Sequence, residues 1–181
     1  MKELSLHILD LVENSINAEA KHITIFVFED ILNNLLTISI EDDGKGMEAS
    51  LLSVVDDPFI TTRKTRNVGL GLSLMKSAAL RCDGNLNIAS EKGKGTKVVI
   101  TFKHNHIDRA PLGNMGSTMA ALISREEQID YIYTHKINDS IFVLNTKEIK
   151  EILGEVEINS PEIILWLQDY INENIKSLLS K

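Results

Sequence analysis

The chain has 181 residues, 43% of them hydrophobic and 25% charged, an ordinary globular balance with enough length to bury a core without staples. A formal net charge of −7 excludes a general grip on nucleic-acid backbone, and a single cysteine, Cys82, excludes an internal disulfide and fits a reducing compartment. No apolar run reaches membrane-spanning length, and acids in MKELSLHILDLVENS occupy the place where a signal peptide would be apolar, which points to the cytoplasm.

Residues 3–19 are expected to be helical: Leu4, Ile8, Leu11, Val12 and Ile16 fall on one arc, with Asp10, Asn14 and Asn17 opposite. HITIFVFE and LLTISIE alternate as strands around an Asn33-Asn34 turn. DDGKGM reads as a loop, Glu48 to Val55 as a short helix, and DPFITTRKTRN as a long mobile loop ending at Gly69. Leu70 to Arg81 suits a helix closed by Asp83-Gly84-Asn85. NLNIAS and TKVVITFK are strands joined by EKGKG. Helices set against roughly four strands predict a two-layer α/β sandwich of the α+β class over residues 1–104. Residues 105–181 read as a small α+β unit. It comprises a helix near 114–124, a hairpin from IDYIY to IFVLN, a short helix near 146–153 and a terminal helix. That last helix starts at Ser160-Pro161-Glu162 and carries a stripe of Ile164, Leu167, Ile171, Ile175 and Leu178. No Pro- or Gly-rich linker divides the two, so they are expected to pack together.

Four motifs carry chemistry. DLVENSINA sets Asp10, Glu13, Asn14 and Asn17 on the polar side of its helix. Asp43-Gly44-Lys45-Gly46 offers a carboxylate beside close backbone. Asp57-Pro58-Phe59 precedes the cations Arg63, Lys64 and Arg66. NVGLGLSLMK turns a glycine loop into a helix start, where free N–H groups face negative charge. In order and spacing, and followed by Gly93-Lys94-Gly95-Thr96, these motifs resemble the ATPase superfamily of gyrase, heat-shock chaperones, histidine kinases and mismatch-repair proteins, the Bergerat fold. The resemblance covers residues 1–103.

That resemblance implies ATP as ligand, with Mg²⁺ held by the amide oxygen of Asn14, a hard donor of the kind the ion prefers. It makes Asn17 a further nucleotide contact and Asp43 the acceptor for the adenine amino group. Gly46 and Thr96 then flank the base, and Gly44 is a further nucleotide contact. Gly69, Leu70 and Gly71 bring N–H groups to the triphosphate, Lys64 approaches its outer phosphates from a lid, and Phe59 anchors that lid. Asp10, one turn before Asn14, takes the place of the carboxylate that orients or deprotonates the attacking group, with Glu13 as fallback. Three uses of ATP stay open. One is a stand-alone protein kinase acting on a phosphoacceptor partner. The others are an ATP-gated switch with slow hydrolysis that controls partner binding, and a partner-binding module with weak nucleotide affinity. His104, His106 and Asp108 alternate as metal ligands can, but a polar strand end with Asp108 and Arg109 paired locally is the expected reading.

Overall fold

The computed structural model describes residues 3–48 and 70–180. The expected helix at 48–55, the lid with Arg63, Lys64 and Arg66, and Phe59 and Gly69 therefore lie outside the described residues, except for Glu48.

Helix α1 (Leu4–Asn17) buries Leu4, Ile8, Leu11 and Val12. Its first N–H groups are satisfied by carbonyls rather than by a capping side chain: Leu4 N–H donates to Pro111 O at 2.9 Å and Ser5 N–H to Leu112 O at 2.7 Å. Strands β1 (His22–Asp30) and β2 (Leu35–Asp42) form an antiparallel pair, turned by Asn34 in the left-handed region at φ 56°, which asparagine tolerates better than most residues. Helix α2 (Leu70–Arg81) leads into β3 (Asn85–Glu91) and β4 (Gly95–Lys103), and β4 pairs with β2.

The chain then crosses through α3 (Met115–Arg125) to β5 (Asp130–Ile137), which lies parallel to β1 in the register His22↔Asp130 through Glu29↔Ile137. Strand β6 (Ser140–Asn145), α4 (Thr146–Leu153) and α5 (Pro161–Leu179) complete the order. The result is one six-stranded sheet, β3-β4-β2-β1-β5-β6. The boundary expected at 104/105 falls between β4 and α3, and the sheet runs on across it. Helices α1, α2, α3 and α5 cover one face, burying Ile23, Ile25, Val27, Leu36, Ile38, Ile40, Ile100, Phe102, Tyr131 and Tyr133 against Met75, Met119, Leu167 and Ile171. The other face stays half open, so the strands alternate buried residues with partly or fully exposed ones, the period-two pattern that the sequence displays. Among the described residues no helix is long and apolar enough to cross a membrane.

At the far end of the covered face the core encloses a polar chain. The Tyr133 hydroxyl lies 2.7 Å from His135 Nδ1, His135 Nε2 2.9 Å from Glu29 Oε1, and His104 Nε2 3.0 Å from Glu29 Oε2. Glu29 can accept from both rings, which fixes an N–H on each Nε2 and leaves His135 Nδ1 to accept from Tyr133. Burial pushes the Glu29 carboxyl up, but the hydrogen bonds from His135 and His104 outweigh it and hold it below the usual range. The cluster considered at 104–108 separates here. His104 turns inward to Glu29, while His106 Nδ1 accepts from Asp108 N–H at 3.1 Å. Arg109 does not pair with Asp108 but donates to the carbonyls of His104 and Ala110. No group of three or more metal-ligating side chains gathers among the described residues.

Candidate nucleotide site

Strand alternation decides which acid of the Asp42-Asp43 pair faces the helices. Leu36, Ile38 and Ile40 point into the core, so Asp42, two residues on, continues on that face and Asp43 does not. In register, Ile23, Asp42, Thr96 and Ser90 form one row across β1, β2, β4 and β3. Asp42 is 9% exposed. Its Oδ2 accepts from the Ser15 hydroxyl of α1 at 2.6 Å and its Oδ1 from Gly44 N–H at 2.9 Å. Each carboxylate oxygen keeps a second lone pair, so this carboxylate can take another donor.

Asp43 is turned the other way, which corrects the assignment made from sequence. Its Oδ1 accepts from Lys21 N–H at 2.7 Å and His22 N–H at 2.9 Å, and its Oδ2 lies 2.6 Å from His22 Nδ1. Burial pushes its carboxyl up, but the His22 and Lys21 donors outweigh this and pull it down to about 2. These bonds tie the loop to the start of β1, which occupies Asp43 structurally. The signal that finds Asp42 was present in LLTISIED, whose alternation does not stop at the loop.

Around Asp42 the backbone comes very close. A side chain on Gly46, at φ 64°, would overlap the Glu91 carbonyl, and one on Gly95, at φ 107°, the Asp42 carbonyl. One on Gly44 would meet the Ala18 carbonyl and methyl. Glycine is required at each for space, and at two of them also for conformation. Thr96 Oγ1 lies 2.8 Å from Ser90 Oγ, which in turn accepts from Met47 N–H at 2.8 Å. An open groove of about 300 Å³ at this end of the sheet is lined by residues of both faces, Glu41, Ala89 and Lys97 as well as Asp42, Ser90 and Thr96. The lysines nearby are paired: Lys45 with Glu19, Lys92 with Glu48, Lys94 with Glu91 and Lys97 with Glu41.

Helix α1 reaches this end of the sheet through Ser15, bonded to Asp42. Asn14 is half-buried and adjoins Ser15, which anchors Asp42; Asn17 is exposed. Asp10 sits one turn before Asn14 on the same face, and α2 begins directly against it, since a side chain on Gly71 would lie 3.1 Å from Asp10 Cβ. Glu13 is diverted: Arg125 of α3 grips it with both terminal nitrogens, at 2.5 and 3.2 Å. His7, a turn earlier, is buried and its pKa is lowered, chiefly by burial.

The donors and acceptors present suit a flat heterocycle bearing an amino group. They comprise a buried acceptor with spare lone pairs, glycine backbone on two sides, and a small hydroxyl row. Residues 2–106 match the family model described as histidine kinase-, DNA gyrase B- and HSP90-like ATPase. The chain belongs to that family of ATPases. Membership implies ATP as the ligand and agrees with the fold. The chain is 31% identical over 106 residues to the sensor histidine kinase ZraS of Escherichia coli K12, covering 59% of this chain and 23% of that protein. It is 36% identical over 87 residues to the autoinducer 2 sensor kinase/phosphatase LuxQ of Vibrio parahaemolyticus, covering 44% of this chain and 10% of that one. The chain thus spans less than a quarter of these curated relatives. A crystal structure of the N-terminal domain of a DNA repair protein superposes with a TM-score of 0.59 over 87% of this chain and 59% of that one, at 16% identity, a likeness of fold.

Proposed function

We propose that this ATPase-family chain binds Mg²⁺-ATP at the Asp42 end of the sheet and passes its terminal phosphoryl group to a partner protein, as a kinase. The observation that carries the reading is Asp42, buried, fixed by Ser15 and Gly44, and still able to accept. In this reading Asp42 accepts from the adenine amino group and Gly44, Gly46 and Thr96 flank the base. Guanine offers a carbonyl at that place, and two acceptors facing each other leave both unpaired, so ATP is preferred to GTP. Asn14 presents a neutral amide oxygen to Mg²⁺, and Asn17 lies one turn on. The magnesium nucleotide supplies the phosphoryl group and the charge neutralisation its transfer needs. Asp10, beside Gly71 at the start of α2, orients the incoming hydroxyl or imidazole and takes up its proton. Glu13 is the weaker candidate, because Arg125 holds its carboxylate. The kinase identity of the matched relatives supports phosphoryl transfer, and the phosphoacceptor is a proposal of the same rank.

Incubation with γ-labelled ATP and candidate acceptors tests this reading. Label is expected on protein, and is lost in Asp10→Asn while ATP binding persists. Label released only to water would refute the kinase.

A second reading, an ATP-gated switch with slow hydrolysis, rests on the Glu13–Arg125 pair. It joins the helix of Asp10 and Asn14 to α3, hence to α5, β5 and β6. The pair is largely exposed, and an exposed ion pair adds little to stability. Arg125→Ala should therefore leave the melting temperature nearly unchanged. If the pair transmits nucleotide state, the variant changes turnover; unaltered turnover removes this reading.

A further inference from the structure

Ser90 of β3 uses every hydrogen-bonding position that a hydroxyl has. Its Oγ accepts from Met47 N–H at 2.8 Å, and lies 3.0 Å from the Gly95 carbonyl oxygen and 2.8 Å from Thr96 Oγ1. A hydroxyl holds one proton and two lone pairs. The amide N–H can only donate and the carbonyl can only accept, so chemistry assigns two of the three roles: one lone pair takes Met47 N–H, and the proton goes to Gly95 O. The third bond then needs a proton from Thr96, whose Oγ1 donates to the remaining lone pair. The opposite arrangement, with the Ser90 proton on Thr96, gives up the bond to Gly95 O and leaves a lone pair idle. It makes two bonds in place of three, so the first arrangement prevails.

Thr96 is thereby left with lone pairs and no proton for a ligand. It is half-buried, faces Asp42 directly across the β2–β4 pair and lines the same groove. Among the described residues no bond other than that to Ser90 engages its hydroxyl. Asp42 as a carboxylate also only accepts, and Ser15 and Gly44 leave it lone pairs to do so. Two neighbouring acceptors call for two donors, and one amino group supplies both. Acceptors about 2.9 Å from its nitrogen, along N–H bonds about 120° apart, stand roughly 5 Å from each other. Facing residues of an antiparallel pair have Cα atoms about 4.5–5.5 Å apart, the same spacing.

We infer that Ser90 sets the preference for a purine with an amino group at C6 over one with a carbonyl there, by holding the Thr96 proton away from the base. The inference rests on the adenine site proposed above and names what fixes its polarity. Ser90 acts through Thr96, as a positioning residue. A carbonyl at C6 meets lone pairs from both Asp42 and Thr96. Freed of Ser90, the Thr96 hydroxyl can turn and donate to that carbonyl. With Ser90 in place, the same rotation breaks the bond between the two hydroxyls.

Calorimetric titration of ATP and of inosine triphosphate, in which a C6 carbonyl replaces the amino group, tests the inference through the ratio of the two dissociation constants. A variant that merely loosens the loop weakens both nucleotides and leaves their ratio alone. Ser90→Ala should narrow the preference for ATP roughly tenfold, the effect of about one hydrogen bond, by strengthening inosine triphosphate relative to ATP. Ser90→Thr keeps the hydroxyl and should restore the preference. Thr96→Val removes the lone pairs but spares the bonds of Ser90 to Met47 and Gly95. It should weaken ATP and narrow the preference by a similar factor. A ratio unmoved by Ser90→Ala, or moved as far by Ser90→Thr, overturns the inference, while ATP binding that still depends on Asp42 keeps the adenine site. ATP affinity indifferent to Asp42→Asn refutes the adenine site itself, and this inference with it.

Discussion

Replacing Asp42 by asparagine separates the two acids of the DDG loop. The shape is kept. The amide oxygen of the new side chain can still accept from Gly44 N–H, and its NH₂ can donate to Ser15 Oγ, because a hydroxyl accepts as readily as it donates. The folded state should therefore lose only about 1 kcal/mol. The nucleotide loses more, since its amino group now meets a partner whose charge is gone and half of whose polar atoms are donors. A hydrogen bond to a charged group contributes about 1.5–3 kcal/mol, which at about 1.4 kcal/mol per decade weakens ATP roughly 10- to 100-fold. Asp43→Asn should do the reverse. Its carboxylate holds Lys21 and His22 on the opposite side of the strand, so the variant loses about 1 kcal/mol in urea denaturation and keeps its affinity for ATP. Calorimetric titration of ATP and GTP into the two variants, with denaturation of each, reads both quantities. If Asp43→Asn weakened ATP more than Asp42→Asn, the reasoning from strand alternation would be wrong.

The Glu29 chain sets an acid limit on stability. Because the folded state holds this carboxyl below its ordinary range, its contribution is full above the unfolded pKa, about 4.3, and is lost as pH falls through the folded value. Glu29→Gln should reduce stability at neutral pH by about 1–3 kcal/mol and flatten the acid limb, which urea midpoints from about pH 3 to about pH 7 would report; an unchanged acid limb would assign the loss to other carboxylates. Gly46→Ala puts a methyl group into the Glu91 carbonyl at positive φ, so a loss of about 2 kcal/mol or more is expected in thermal unfolding, and a neutral result would mean that the loop yields.

Much of this architecture is legible in the sequence because half of each strand is buried and half is not. HITIFVFE and LLTISIE announce their faces, and the helix of Leu4, Ile8, Leu11 and Val12 announces its stripe. The family is legible because its motifs combine glycines with no room for a side chain and polar residues on α1. Two matters escaped local reading. Asp43 precedes a glycine and looks like the functional acid, yet the strand's period extends one residue further than the loop's composition suggests. The union of β5 with β1 leaves no trace in nearby residues, since a parallel pairing is set by what lies across the sheet. Arg109 shows a smaller failure: the acid beside it in sequence lost to two carbonyls that fold back around its guanidinium.

The parallel seam between β1 and β5 also has a history within each molecule. His22 meets Asp130, so at roughly 5–20 residues per second the ribosome spends several seconds or more between delivering one side of the seam and the other. During that interval β1 can pair with β2, its hairpin neighbour, but its second edge stands open with Ile23, Ile25 and Val27 alongside it. A nascent chain that has emerged only as far as β4 holds much of the nucleotide site and an unfinished sheet. Whatever binds that bare edge before β5 is made, whether a chaperone or another unfinished copy, shapes how much protein reaches the folded state.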